Sequence, residues 1–125
     1  MMVADDFVRI PAAAMESEYL WRQEGRFAAF VRLCGEAAPS RRVADVRGVP
    51  AMLERGQLVV TRDSLALTFR TTRDVARRHL ECFEREGLVS LADASSAAVD
   101  GQPSPTGRLV TIRGLSPGAR PVGDG

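Results

Sequence analysis

Between Thr61 and Gly87 the apolar residues fall twice on helical spacing, with a short break between. Leu65, Ala66 and Phe69 make one apolar face. Arg70-Thr71-Thr72 interrupts it. Ala76, Leu80 and Phe83 then recur at four and three, flanked by Val75, His79 and Cys82. Thr61 and Thr72 each stand where a hydroxyl can accept an orphan N–H at a helix start. Asp63 and Asp74 follow two places later, where a negative charge suits the helix dipole. Gly87 ends the second helix. The pattern predicts two short helices joined by a tight turn. Arg73, Arg77 and Arg78 lie away from the second helix's apolar stripe.

The flanking chain is less periodic. Residues 7–10 alternate apolar and polar and stop at Pro11, a short extended piece. Residues 12–21 suit a helical turn or two, with Tyr19, Leu20 and Trp21 as a packed edge and Trp21 as a core anchor. Residues 24–38 read as a helix, with Phe27, Phe30, Val31, Cys34 and Ala38 on one face. In residues 41–55, Val43 and Val46 suggest an extended arm. Gly48 and Pro50 suggest turns, and Met52 and Leu53 return to the core. Strands are expected at 57–60, 88–92 and 108–112. Residues 93–107 are rich in Ser, Ala, Gly and Pro, have no period, and read as a long irregular loop. The expectation is one domain over 7–113, with a frayed 1–6 and a disordered tail at 114–125.

The totals narrow the class. A chain of 125 residues with 45% hydrophobic content can form one core without covalent staples. No apolar run approaches the ~20 residues of a membrane span, and Asp5 and Asp6 do not suit a signal peptide. The expected location is the cytoplasm. Cys34 and Cys82 sit at apolar helical positions and read as buried free thiols. Net charge is only +1, but residues 41–80 hold nine arginines against four acids. One histidine and two helical cysteines give no zinc spacing. No nucleophile constellation or phosphate-cradling glycine loop is present. The chain reads as a binding protein without metal or cofactor, not as an enzyme.

The spacing of Leu65-Ala66, Phe69, Thr72, Ala76-Arg77, Leu80, Phe83 and Gly87-Leu88-Val89 resembles the winged helix-turn-helix of bacterial and phage DNA-binding proteins. Residues 7–11, Trp21 with the helix after it, and Arg55-Gly56-Gln57-Leu58-Val59 before a Thr-Arg helix start add a narrower likeness. They are similar to the N-terminal domain of phage and plasmid replication-initiation proteins of the replisome-organiser, DnaD-like type. The likeness covers roughly residues 7–113. A glycine is usual in the turn between the two helices, and Arg70 stands there instead. The implied fold is mainly α with a small antiparallel sheet: a three-helix core plus a hairpin wing over 88–112. The strand at 57–60 would pair with that hairpin.

Such a motif lays its second helix in the major groove, N-terminal end toward the base edges. That geometry offers Thr71, Thr72, Arg73, Asp74, Arg77 and Arg78. Thr61 and Arg62 start the first helix, where N–H groups commonly meet a phosphate. Arg108, at the foot of the wing, is offered to the minor groove or backbone. The expected partner is double-stranded DNA, with a homodimer and replication proteins as further partners. Three alternatives stay open: a transcriptional repressor of the same fold, a winged helix used only for protein contact, and helix arginines that merely pair with Asp74 or Glu81.

Overall fold

The computed structural model describes residues 8–115. The 1–6 segment and the tail from 116 onward lie outside it. Helices α1 (Ala12–Met15), α2 (Glu18–Arg22) and α3 (Glu24–Glu36) come first. Strands β1 (Arg42–Val46), β2 (Val49–Leu53) and β3 (Gln57–Val60) follow. Helices α4 (Arg62–Phe69) and α5 (Arg73–Arg85) precede β4 (Val89–Asp93) and β5 (Arg108–Ile112). Helices accompany two antiparallel sheets, β1-β2 and β3-β5-β4.

Local chemistry explains the two central helices. Thr61 Oγ1 accepts from Ser64 N at 3.1 Å, and Ser64 Oγ accepts from Thr61 N at 2.8 Å. This reciprocal cap satisfies two backbone donors at the start of α4. Thr72 Oγ1 accepts from Val75 N at 3.2 Å and starts α5. At the end of α5, Leu88 N donates to Phe83 O and Gly87 N to Glu84 O, with Gly87 at φ 78. These two bonds form the Schellman closure, in which the left-handed residue is usually glycine. Helix α4 closes in the same way: Thr71 N donates to Ala66 O and Arg70 N to Leu67 O. Its left-handed residue is Arg70, at φ 55 and ψ 49.

Phe83 joins the helices. It is fully buried. It meets Phe30 of α3 edge-on at 5.4 Å, Phe69 of α4 at 6.1 Å and Tyr19 of α2 at 6.4 Å. Such edge-to-face contacts suit the ring quadrupoles. Leu20, Leu33, Leu65 and Leu80 complete this core, closed by Val110 and Ile112 of β5.

Several expectations require correction. In residues 41–55 the extended arm at Val43 and Val46 and the turn at Gly48 occur as expected, but residues 49–53 form a second strand paired with the first, so the sheet content is larger than expected. Pro50 is not a turn residue; it lies in β2, opposite Asp45 of β1. The hairpin bends at Arg47-Gly48, both at positive φ. Two central residues of that kind make a type I′ turn, whose twist matches paired strands. A second small cluster lies beneath it: Ala38, Ala51, Leu53, Ala97 and Leu109. The 93–107 loop is not irregular throughout. Residues 94–97 form a 3-10 turn that places Ala94 and Ala97 in the interior, and Ala98 bridges Ala51. Trp21 is 55% exposed rather than a core anchor. It stacks on Phe27 at 4.5 Å, and its indole N–H donates to Met15 O. Leu115 is buried and its carbonyl accepts from Arg55 Nε at 2.8 Å, so packed chain extends past 113. Cys34 is buried, which pushes its thiol up to about 12, whereas Cys82 is only half-buried. Among the described residues no helix is long and apolar enough to cross a membrane.

Candidate nucleic-acid interface

The side chains singled out along the chain come from distant stretches, and most of them meet. A groove of about 1030 Å³ runs between the starts of α4 and α5, the hairpin turn and the beginning of β5. Thr61, Arg62, Thr72, Arg73, Asp74, Arg77 and Arg108 all line it. Arg47 lines it too, from the β1–β2 turn. Arg47 is not among the residues the helix-turn-helix pattern offers to DNA. Only Gly48 signals a turn there, and Arg47 is not one of the residues that mark a two-residue hairpin.

Two expected residues fall outside this groove. Thr71 lines a neighbouring shallow groove with Ala66, Leu67 and Arg70, which shares Asp63, Thr72 and Arg73 with the first. Arg78 is exposed on α5 but lines neither groove.

Five arginines and two aspartates line the larger groove, an excess of three positive charges. Asp63 holds two of these arginines. Its Oδ1 lies 3.4 Å from Arg73 Nε and its Oδ2 lies 4.0 Å from Arg47 Nη2. Arg77 pairs with Glu81 at 3.2 Å, one turn along α5. Arg73 thus pairs across to α4 instead of with Asp74. All these side chains are roughly half to two-thirds exposed. Exposed pairs of this kind are weak and exchange readily for other anions. Arg62 and Arg108 make no ion pair among the described residues.

Local order holds the rim in place. Asp93, paired in register with Arg108, accepts from Ser95 N at 2.8 Å. That bond holds its carboxyl below the usual carboxylate range. On the flank of α5, His79 packs against Phe69 and Phe83. Burial lowers its pKa, and the nearby guanidiniums of Arg26 and Arg78 lower it further. Arg26 in turn sits 4.2 Å above the Tyr19 ring, a cation–π contact. Burial and a hydrogen bond with Cys82 push the Tyr19 hydroxyl up to about 12. Among the described residues, no three His, Cys, Asp or Glu side chains converge as metal ligands would.

Chemically, the groove can take up a polyanion. Guanidiniums arrive from α4, α5, β5 and the hairpin turn, and five of them against two aspartates leave the lining net positive. Comparison with family models, curated proteins and solved structures finds no match.

Proposed function

We propose that this protein binds double-stranded DNA as a winged helix-turn-helix. The α4–α5 pair is the motif, α5 enters the major groove, and the β4–β5 hairpin with its loop is the wing. One observation carries the reading: Arg47, Arg62, Arg73, Arg77 and Arg108 line a single groove at the N-terminal end of α5. That end is the one a helix-turn-helix presents to base edges. Phosphate contacts position such a module, and base contacts from α5 specify its site. The resemblance to replisome-organiser proteins favours a role in replication initiation of a phage or mobile element. A repressor of the same fold would instead dimerise on a palindromic site.

The test is a titration of labelled duplex over a range of salt. Four or five phosphate contacts give a log–log slope near about −4. Arg73→Ala with Arg77→Ala, which removes two groove arginines, should weaken binding and flatten the slope by about 2. Thermal unfolding should stay nearly unchanged, because both side chains are exposed. A second reading, protein contact alone, is favoured by one feature: Arg73 and Arg77 already hold carboxylates. Absence of duplex binding at ~50 mM salt, where phosphate contacts are strongest, would select it.

A further inference from the structure

Among the described residues only two that are not glycine have positive φ, and both are arginine: Arg47 at 53° and Arg70 at 55°. Left-handed backbone is unfavourable for a residue carrying a Cβ. Arg47 occupies the first central position of a type I′ turn, where asparagine, aspartate or glycine is favoured. Arg70 occupies the left-handed closing position of α4, where glycine is usual. Neither turn calls for an arginine on backbone grounds.

Both turns open onto the same surface. Arg47 lines the large groove and Arg70 the shallow one beside it, and the two grooves meet at Asp63, Thr72 and Arg73. Arg47 and Arg70 are both exposed, and Arg70 makes no ion pair among the described residues. Together with Arg73 they place three guanidiniums along that surface from the helix turn to the hairpin tip, with Asp63 pairing Arg47 and Arg73 at the junction. A strained site that carries a charged side chain into a binding surface is where a functional demand overrides local backbone preference.

We propose that Arg47 and Arg70 are phosphate contacts, and that the β1–β2 turn and the α4–α5 turn widen the DNA footprint beyond α5 and the wing. The partner is the sugar–phosphate backbone, so these two arginines add affinity and carry no sequence preference. The proposal rests on the duplex-binding reading above.

The two turns supply their own test. Arg47→Asn creates Asn-Gly, a strongly favoured type I′ pair, and Arg70→Gly restores the usual helix closure. The five groove arginines, Arg47 among them, make six phosphate contacts with Arg70, so the unsubstituted protein should show a slope of about −5.4 and the double variant about −3.6. The double variant should unfold at the same or a higher temperature while its affinity at ~100 mM salt falls at least about tenfold, as loss of two phosphate contacts implies. Arg47→Gln with Arg70→Gln, which leaves the backbone strain in place, should lower the slope by the same amount. If the unsubstituted protein binds duplex and both double variants keep its slope, this proposal fails and the duplex reading stands. If the unsubstituted protein does not bind, both fail. Lower unfolding temperatures in both double variants with unchanged slopes would assign the two arginines to the fold instead.

Discussion

Asp63→Asn perturbs the centre of the groove while preserving shape. The carboxylate stands between Arg47 and Arg73, at 4.0 and 3.4 Å, with about two-thirds of its side chain exposed. Its loss removes two exposed ion pairs worth about 0–1 kcal/mol each. It also removes a favourable charge from the first turn of α4, worth about 0.3–1 kcal/mol. The net destabilisation should be about 1 kcal/mol, a fall of roughly 4 °C in Tm for a domain of this size. Binding should move the other way. One negative charge about 10 Å from a phosphate repels it by about 0.4 kcal/mol in water. Screening over ~8 Å at physiological salt limits the effect to the nearest one or two phosphates. The gain is therefore at most about 0.4–0.8 kcal/mol, or about two- to fourfold in Kd, and grows as salt is lowered. Fluorescence anisotropy with labelled duplex and calorimetric unfolding of both proteins measure the two effects. Tighter binding by a less stable protein is the expected result. Weaker binding would refute the reasoning, since Asp63 would then be orienting its two arginines for DNA, not competing with it.

Two further outcomes probe the scaffold. Phe83→Ala empties the site where α2, α3, α4 and α5 meet and should cost about 3–5 kcal/mol. That is a large share of the ~5–15 kcal/mol of a typical domain, readable as a shift of the urea midpoint. His79 has a lowered pKa in the folded protein, so the unfolded chain binds its proton first as pH falls. Its neutral form stabilises the fold fully above about 6.5, and that contribution is lost as pH falls through the folded value. Unfolding temperature followed from pH 8 to pH 5 should drop over this window, and His79→Phe should remove that part of the drop.

Much of the local structure could be read along the chain. The caps at Thr61 and Thr72, the close of α5 at Gly87 and the strand Arg108–Ile112 all occur where residue types and spacing place them. Each is set by residues within a few positions of one another. The β1–β2 hairpin was not legible. Its outward Val43 is exposed, and Pro50 looks like a break because it cannot donate to a ladder. It is accommodated because β2 pairs as a strand only with β1. The cluster beneath it draws on Ala38, Ala97 and Leu109, contacts no local window contains. Trp21 misled for a related reason: its size suggested burial, but Phe27 covers one face of the ring and Met15 takes its N–H, leaving the rest to solvent.

The candidate site divides in the same way. Helical period alone set Arg73, Arg77 and Arg78 outside the apolar stripe of α5, because a buried face of 3.6-residue period determines its opposite. Period could not show that Arg73 would pair with Asp63, that Arg78 would lie outside the groove, or that Arg47 would reach it from another sheet. Those facts depend on how α4, α5 and two hairpins cross. The crossings are decided by the packing of Phe83 and the small alanine cluster, which bring together side chains far apart in the chain.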